Sequence, residues 1–173
     1  MKATDNTNGL QLRALEPSDT DLLYLWENDP EMWRFGFSPA PLSRHQIWEY
    51  INQYDANPLA TGQLRLMMHI GQITVGAIDL YNIDMRNRHA FVGIMTASQH
   101  RRNGYGSEAL KLLISYCINN LGLKQLAATI SADNKQSIAL FLKAGFKITA
   151  ELPDWIRRDG NTYITAKILT RQL

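Results

Sequence analysis

Apolar and polar residues follow two different periods along the chain, and the two periods predict different elements. A short alternating stretch at 10–15 predicts a strand. Apolar residues at helical spacing then predict a helix over 19–28 and a second helix from Ser43 to about Asn57. Ser18 and Ser43 are expected to cap these helices, because a serine hydroxyl accepts hydrogen bonds from the first backbone N–H groups.

After Gln63 the pattern becomes mostly strand-like. Residues 64–70 and 73–81 are predicted to be antiparallel strands, and Gly71-Gln72 between them predicts a two-residue hairpin turn. This order of elements predicts an α+β fold with a mixed sheet, organised as one domain over residues 1–173. The remaining predicted strands are at 88–96, 125–131, 146–151 and 162–169, and the remaining predicted helices are at 104–120 and about 135–144.

Charge and cysteine content exclude some classes of protein. The net charge of +2 comes from 18 basic and 16 acidic residues, which is too balanced to indicate a nucleic-acid or membrane partner. The single cysteine, Cys117, lies among apolar helix positions and is expected to be buried, and it cannot form an intramolecular disulfide. The polar N-terminal segment does not resemble a secretion signal, so we expect a cytoplasmic protein. We also expect no metal site.

Residues 91–110 (FVGIMTASQHRRNGYGSEAL) contain the strongest candidate for chemistry. An apolar strand is followed by a polar loop, and a helix begins near Gly104. Backbone N–H groups at a helix N-terminus bind anions, and Gly104 and Gly106 carry no side chain that would block a phosphate. The first interpretation of this stretch is therefore a cradle for a diphosphate.

Two other interpretations of the loop remain open from its residues alone. Gly104-x-Gly106-x-x-Ala109 also satisfies the loose dinucleotide fingerprint, with Asp133 as the acidic residue downstream, but that fingerprint requires a tighter turn after the strand. The alternative without a ligand is a glycine-containing helix start with a solvated arginine pair. A P-loop is excluded, because no Gly-Lys-Ser/Thr sequence closes the loop.

Two motifs together make the chain resemble the GCN5-related N-acetyltransferase (GNAT) family. Residues 101–106 (RRNGYG) match the (Gln/Arg)-x-x-Gly-x-(Gly/Ala) pyrophosphate loop of that family, and residues 134–146 (NKQSIALFLKAGF) match its second motif, Asn-x-x-(Ala/Ser) followed by Gly-Phe. The resemblance extends from Leu10 to about Ile168 and looks greatest for the branch with bacterial spermidine N-acetyltransferases and ribosomal-protein N-terminal acetyltransferases. It implies a GNAT-type mixed, mostly antiparallel central sheet of about six or seven strands, flanked by about four helices.

The resemblance also implies acetyl-CoA as the acyl donor. The loop would bind the pyrophosphate, the strand before the loop would offer backbone groups to the pantetheine arm, and the helix after Asn134 would face the pantetheine and the adenosine. The cofactor-binding residues implied in this way are Ile94, Met95, Thr96, Arg101, Arg102, Asn103, Gly104, Tyr105, Gly106, Ser107, Asn134, Ser137, Phe141 and Lys143.

The reaction implied by the resemblance is the attack of an amine on the acetyl thioester. An alkyl amine has a pKa of about 10 and must lose a proton, and Asp79 in the apolar run VGAIDLY is the catalytic candidate for the base. A solvated Asp79 at the sheet edge is the alternative. Many family members carry a tyrosine acid in the second motif, where this chain has Phe141. Tyr81, Tyr105 or Tyr163 could replace that tyrosine; otherwise positioning alone suffices, or the chain is a catalytically silent acyl-CoA-binding module.

The acceptor implied by this branch is first a polyamine such as spermidine, then a protein N-terminus, then an aminoglycoside-like amine. Acidic and aromatic residues in the first third of the chain could attract a cationic amine. Phe91 is included because spermidine enzymes of this kind often carry a glutamate at that position. Relatives range from monomers to large rings, so a homo-oligomer is a further expectation. The candidate substrate residues are Glu27, Glu31, Trp33, Phe35, Glu49 and Phe91.

Overall fold

Seven strands and six helices are present in the computed structural model, which describes residues 9–33 and 40–173. Short 3-10 turns at Pro17–Asp19 and Ser98–His100 precede the first and fifth helices. The strands are β1 (Gln11–Ala14), β2 (Leu64–Ile70), β3 (Ile73–Asp84), β4 (His89–Thr96), β5 (Gln125–Ser131), β6 (Lys147–Arg157) and β7 (Tyr163–Gln172). The helices are α1 (Thr20–Glu27), α2 (Pro30–Trp33), α3 (Arg44–Asn52), α4 (Pro58–Thr61), α5 (Tyr105–Tyr116) and α6 (Lys135–Lys143).

The strands form one sheet in the order β1-β2-β3-β4-β5-β7-β6. Each neighbouring pair is antiparallel except β4 and β5, which are parallel and are connected through α5. A parallel pair needs a crossover connection, and a helix is its usual form. The expected α+β fold with a mixed, mostly antiparallel sheet is therefore confirmed, and α1, α3, α5 and α6 are its longer helices.

The two faces of the sheet carry separate apolar clusters. α5 packs on one face through residues that include Leu110, while α1 and α3 supply Leu23 and Ile47 to the cluster on the opposite face. Because side chains alternate along a strand, β3 contributes to both clusters, with Ile78 on the α5 side and Ala77 on the α1 side. The sheet is thus covered by helices on both faces, and the site described below lies where this cover is incomplete.

The start of α1 differs from the prediction that Ser18 caps it. Asp19 is buried, and its carboxylate accepts two hydrogen bonds from the Arg13 guanidinium at 2.6 and 2.7 Å and one from the Glu16 N–H at 2.9 Å. Burial alone would raise the pKa of Asp19, but these hydrogen bonds more than offset burial and the pKa is lowered. A partner on β1 therefore fixes the helix start, and local capping preferences do not reveal such a partner.

The predicted cap of α3 is confirmed. Ser43 Oγ accepts a hydrogen bond from the Gln46 N–H at 3.1 Å, and Gln46 Oε1 accepts one from the Ser43 N–H at 2.8 Å. The helix ends at Asn52 and not near Asn57, because Asn57 caps a separate short helix, α4.

The last two strands are longer than predicted. β6 extends to Arg157 although Pro153 lies within it, which is tolerated because β6 is an edge strand and, among the described residues, one side of it has no neighbour. The pairing with β7 shifts register between Leu152 and Ile156, where Asp154 has a φ of +51°. The side chains of β6 are largely exposed, so apolar alternation could not predict its length.

The end of α5 continues as a π-helical segment, Cys117–Leu121, and Gly122 in the left-handed region (φ +62°) ends it. The predicted burial of Cys117 is confirmed, and burial raises the pKa of its thiol to about 12. A thiol with that pKa is protonated at neutral pH and is a poor nucleophile. In the described part of the chain, none of the helices has the length and apolar character needed to cross a bilayer.

Candidate functional site

Parallel pairing between β4 and β5 ends at Phe91↔Ala127, and the two strands then diverge. On its other side, β4 stays paired with β3 as far as Thr96↔Gly76. A Cβ at Gly76 would lie 2.2 Å from the Met95 carbonyl oxygen, so only glycine permits this close approach. Within the described chain, the edge of β4 that faces β5 therefore carries backbone N–H and C=O groups without a strand partner.

The gap between the two strands opens into two cavities. The α5 cleft, about 690 Å³ in volume, lies between the end of β4, the loop before α5 and the start of α6. The α3 groove, about 490 Å³ in volume, lies between α3, the strands β2 to β5 and the residues at the end of β6 and just after it. The two cavities meet at the gap, because both are lined by Glu27, Arg65, Asp79, Ile94, Met95, Asn134 and Ser137.

Most of the predicted cofactor residues line the α5 cleft. Asn103 is an exception, and its side-chain amide donates to the carbonyl oxygens of His100 (3.1 Å) and Arg101 (3.3 Å), which stabilises the loop. Phe141 is the other exception, because it lines the α3 groove and packs edge-to-face on Phe146 with 4.9 Å between ring centroids. The predicted residues that line the α5 cleft are Ile94, Met95, Thr96, Arg101, Arg102, Gly104, Tyr105, Gly106, Ser107, Asn134, Ser137 and Lys143.

The two glycines of the loop have different structural roles. Gly104 precedes α5 with a φ of +81°, and a Cβ there would meet no atom within 4 Å, so backbone conformation is the reason for glycine. Gly106 lies in the first turn of α5, and a Cβ there would lie 3.1 Å from Leu140 Cδ2 and 3.7 Å from Ile94 Cδ1. The small residue therefore allows α5 to pack closely against α6 and β4. These roles add to the predicted one, which is access for a phosphate.

The first turn of α5 presents backbone donors to the α5 cleft. The N–H groups of Ser107 and Glu108 donate to the Gly104 carbonyl oxygen at 3.0 and 3.2 Å. The earlier N–H groups of a helix have no acceptor within the helix, and together with the helix dipole they favour an anion. The backbone of this turn therefore fits the predicted diphosphate cradle.

Three long basic side chains line the same cleft, and they differ in their contacts. Arg101 donates from Nε to the Thr96 carbonyl oxygen at 3.2 Å, and its Nη1 lies 3.2 Å from Glu31 Oε2. Arg101 therefore connects β4 to α2. Arg102 has a φ of +65° and forms no ion pair with a residue in 9–33 or 40–173, and Lys143 lies near the end of α6. Arg102 and Lys143 are consequently the better placed to neutralise an anion.

The start of α6 forms the other side of the cleft. Asn134 caps the helix, with Oδ1 accepting a hydrogen bond from the Ser137 N–H at 3.1 Å. Ser137 and Phe141 are four residues apart, so they share one face of α6, and both line the α3 groove. This face brings the Ser137 hydroxyl to the junction of the two cavities and the Phe141 ring to the α3 groove.

Arg65 of β2 is the centre of the α3 groove. Its Nε and Nη2 donate to the two carboxylate oxygens of Asp79 at 2.8 and 3.0 Å, and its Nη1 lies 3.3 Å from Glu27 Oε1. The guanidinium carbon lies 5.6 Å from the centroid of the Tyr50 ring, and the Arg65 N–H donates to the Tyr54 hydroxyl. Arg65 therefore links α1, α3, β2 and β3 at the floor of the groove.

Burial affects the pKa values of several side chains in the α3 groove. It lowers the pKa of Arg65, but the Asp79 carboxylate more than offsets burial, and the pKa of Arg65 is raised overall. Burial also raises the pKa of the phenols of Tyr50, Tyr54 and Tyr81, so these remain neutral at pH 7. The charge of the groove at neutral pH is therefore carried by carboxylates and guanidiniums.

Gly93 leaves an opening beside Asp79. The two residues are opposite each other on β4 and β3, and a Cβ at Gly93 would lie 3.9 Å from Asp79 Oδ2 and 3.7 Å from Tyr81 Cε1. Gly93 lies two residues after the last β4–β5 pair, so the opening lies at the gap. The predicted base candidate is therefore accessible from the junction of the two cavities.

The opposite wall of the α3 groove comes from the hairpin loop between β6 and β7. Arg158 in this loop places Nη2 2.8 Å from both Ser131 Oγ and Asp133 Oδ1. Ser131 is the last residue of β5, and its carbonyl oxygen accepts a hydrogen bond from the Asn134 N–H at 2.9 Å. Arg158 therefore holds the hairpin loop against the start of α6, close to the junction of the cavities.

The predicted substrate residues are not gathered into one cluster. Glu27 lines both cavities and Trp33 lines the α5 cleft, while Glu31 pairs with Arg101 of the loop before α5. Glu49 lies 3.5 Å from His45 on α3, and Phe91 packs against Tyr81 with 5.6 Å between ring centroids. Phe35 lies outside the described residues.

Tyrosines that could replace the missing acid are dispersed. Tyr81 lines the α3 groove and Tyr105 lines the α5 cleft, whereas Tyr163 is exposed on β7 and lines neither cavity.

Several residues that build the α3 groove were not identified from the sequence as site residues. An arginine inside a strand pattern was the available signal for Arg65, and the sequence holds no comparable signal for the others. These residues are Tyr50, Tyr54, Arg65, Gly93 and Arg158.

A family model and several known proteins that match this chain are named as acetyltransferases. A family model described as "Acetyltransferase (GNAT) domain" matches residues 10–147. The uncharacterized N-acetyltransferase YoaA of Bacillus subtilis (strain 168) is 32% identical over 91 residues, which cover 53% of this chain and 51% of that protein. The uncharacterized N-acetyltransferase p20 of Bacillus licheniformis is 27% identical over 158 residues, which cover 89% of this chain and 88% of that protein.

A solved structure has the same fold. It is the crystal structure of spermidine N-acetyltransferase from Vibrio cholerae in complex with CoA and spermine, and it matches with a TM-score of 0.85 at 21% sequence identity. The match covers 94% of this chain and 95% of that chain. At this identity the likeness establishes the fold and leaves the acceptor to be argued from the residues of the groove.

Replacing Arg102 with glutamine should weaken the binding of CoA about tenfold, because a charge-assisted hydrogen bond to a phosphate contributes about 1.5 kcal/mol. Isothermal titration calorimetry at low salt measures the change. Arg86→Gln is the matched control, because Arg86 is exposed in the turn between β3 and β4 and its loss removes the same charge. Equal weakening by both variants would contradict a specific role for Arg102.

Proposed function

The chain belongs to the acetyltransferase (GNAT) family, and from that premise we propose that it transfers the acetyl group of acetyl-CoA to a primary amine bound in the α3 groove. The observation that carries the proposal is the meeting of two cavities at the β4–β5 gap. The α5 cleft has the backbone N–H groups of an anion site, and the α3 groove has the Asp79 carboxylate beside the opening at Gly93. A reaction between two substrates requires that each of them reach the same point, here from its own cavity.

Acetyl-CoA is the acyl donor of this family and supplies an acetyl thioester. On the protein side, the first turn of α5, Arg102 and Lys143 are suited to its phosphates. The free edge of β4 is suited to an extended ligand, because its unpaired N–H and C=O groups can pair with one as a neighbouring strand would. The residues present therefore fit the donor.

The acceptor amine must lose a proton as its nitrogen bonds to the acetyl carbon. Asp79 is our candidate for the base. Each of its carboxylate oxygens accepts one hydrogen bond from Arg65 and retains a further lone pair. The position of Asp79 beside the opening at Gly93 supports this role, because an amine at the gap is within reach.

The other bond change is the release of the CoA thiolate, which takes a proton from a nearby group or from water. Phe141 cannot supply that proton, although it lies on the face of α6 that lines the groove. We assign the main contribution instead to positioning and to backbone N–H groups at the free edge of β4, which can polarise the acetyl carbonyl.

Two acceptor classes follow from different observations. A polyamine such as spermidine is supported by the shared fold with the Vibrio cholerae enzyme. The N-terminus of a peptide, which bears one amino group next to a polar backbone, is favoured by the contacts of Arg65. Two carboxylates, Glu27 and Asp79, lie against this one guanidinium, which leaves a single negative charge to balance the single positive charge of such an amino group.

The proposed activity predicts release of thiol when the protein is mixed with acetyl-CoA and a suitable amine. A panel should contain spermidine, short peptides with free N-termini and an aminoglycoside, with free thiol measured by a chromogenic disulfide and the acetylated product by mass spectrometry. CoA binding without thiol release from any amine would support a catalytically silent acyl-CoA-binding module. Failure to bind CoA would contradict the donor site as well.

Asp79→Asn should lower kcat at least tenfold if Asp79 accepts the amine proton, because the amide that replaces the carboxylate cannot accept it. Glu27→Gln is the matched control, because it removes the other carboxylate that contacts Arg65 without removing the candidate base. A similar fall in kcat for both variants would mean that the contacts of Arg65 matter and that Asp79 is not the base.

Phe141→Tyr should raise kcat about tenfold if departure of the thiolate limits turnover, because it restores an acid on the groove-facing side of α6. Phe146→Tyr is the control, since Phe146 is equally buried and touches Phe141 but does not line either cavity. An unchanged kcat in Phe141→Tyr, with CoA binding intact, would show that proton delivery to the thiolate is not limiting.

A further inference from the structure

Two pairs of aromatic side chains lie at the α3 groove and outside the core. Tyr50 of α3 and Tyr54 just after it form one pair, with 5.7 Å between ring centroids, and both line the groove. Tyr81 also lines the groove and forms the second pair with Phe91 at 5.6 Å. In the part of the chain that the structure describes, these four rings belong to neither of the two apolar clusters of the sheet. Aromatic surface that is not used to build a core is suited to a ligand.

The candidate base lies beside the second aromatic pair. Asp79 and Tyr81 are two residues apart on β3, so they lie on the same face of the sheet. Their partners on β4 are Gly93 and Phe91, respectively. A Cβ at Gly93 would lie 3.9 Å from Asp79 Oδ2 and 3.7 Å from Tyr81 Cε1. A group that enters the opening at Gly93 therefore contacts a carboxylate on one side and an aromatic ring on the other.

The charge of the groove matches a single ammonium group. In the described ranges, the carboxylates that line the groove are Glu27 and Asp79, and they share the guanidinium of Arg65, which leaves a formal charge of −1. Arg158 also lines the groove, and Asp133 balances its charge at 2.8 Å. Burial raises the pKa of the phenols, so they add no charge at pH 7.

A second ammonium group in the groove would have no further carboxylate among these lining residues to balance it. Near a protein surface, two like charges a few ångströms apart repel each other appreciably. An acceptor with one positive charge avoids this repulsion, and the remainder of such an acceptor must then be held by uncharged contacts. The aromatic pairs are suited to provide those contacts, because aromatic rings pack favourably on one another.

Building on the proposed function, we infer that the acceptor is a singly charged primary amine joined by a short linker to an aromatic ring, and that Tyr81 and Phe91 bind this ring while the amine lies beside Asp79. The linker is short because the carboxylate and the ring of Tyr81 flank the same opening. The chemical unit is an arylethylamine, in which two carbons separate the nitrogen from the ring. A free arylethylamine contains this unit, and so does a peptide whose first residue is phenylalanine or tyrosine.

The test compares acceptors that differ in one feature. Phenethylamine is paired with cyclohexylethylamine, which has the same skeleton and charge but no aromatic ring. Hexylamine is paired with hexamethylenediamine, which has the same chain and a second positive charge. We expect kcat/KM to favour the aromatic member about fivefold and the singly charged member about tenfold.

A peptide series distinguishes the two sources of the arylethylamine unit. Peptides that begin with phenylalanine are paired with peptides that begin with cyclohexylalanine. Preference for the aromatic ring among the free amines identifies a small arylethylamine as the acceptor. Preference among the peptides alone identifies a peptide N-terminus.

Variants of Tyr81 supply the second arm. Tyr81→Leu removes the ring, so the ratio of kcat/KM for phenethylamine to that for cyclohexylethylamine should fall to about one. Tyr81→Phe keeps the ring and should keep the ratio, which separates a role of the ring from a role of the hydroxyl. Tyr163→Leu is the matched control, because Tyr163 is exposed on β7 and lines neither cavity.

Gly93→Ala tests the opening itself. Gly93 lies within β4 and has no positive φ, and the added methyl would meet Tyr81 and Asp79 at ordinary contact distances, so the fold should tolerate it. The methyl would occupy the place of the amine. We therefore expect KM to rise at least about fivefold for every amine, with the affinity for CoA equal to that of the wild type.

Three results would overturn the inference while the proposed function stands. The first is wild-type protein that acetylates spermidine or hexamethylenediamine best. The second is equal kcat/KM for the aromatic and the cyclohexyl member in both series. The third is an unchanged ratio in Tyr81→Leu whose CoA affinity, measured by calorimetry, equals that of the wild type. By contrast, the absence of thiol release with every amine, including spermidine, would reject the acetyl-transfer proposal on which the inference rests.

Discussion

The early end of the β4–β5 pairing is the constraint on which the rest of the site depends. Unpaired backbone groups cost about 1–3 kcal/mol each when they are buried without partners. The gap after Phe91↔Ala127 is therefore stable only because it stays open to solvent or receives a ligand. The close contact of β4 with β3 at Gly76 keeps one side of the strand fully paired. One edge of β4 is thus hydrogen-bonded to β3, and its other edge is available to a ligand.

The side of the gap formed by α5 and α6 could be predicted from the sequence because its determinants are local. A glycine with a positive φ, a helix start and an asparagine cap each occupy a few consecutive residues, and the loop 101–107 and Asn134 carry them. Backbone N–H groups do the binding in such a site, so their position follows from where a helix begins. Periodicity and capping rules locate helix starts well, and α3 and α6 begin where these rules predict.

The α3 groove could not be predicted in the same way, because its residues come from distant parts of the chain. Arg65 meets Glu27 across 38 residues and Asp79 across 14, and Arg158 meets Ser131 across 27. Such contacts depend on the register of strands and on the length of β6, and exposed side chains on an edge strand give no apolar pattern to follow. Acidic residues that are close in sequence, such as Glu27 and Glu31, instead take different arginine partners.

The contrast between the two sides explains why a shared fold leaves the acceptor undetermined. The proposed donor side depends on backbone geometry, which the fold itself preserves, whereas the proposed acceptor side depends on single charges that one substitution can reverse. A partly buried guanidinium such as Arg65 is stabilised by pairing, since desolvation of an unpaired charge is costly. Its two carboxylates therefore stabilise the groove before any ligand enters, and because there are two of them for one guanidinium, the floor of the groove keeps a negative charge that can act on an acceptor.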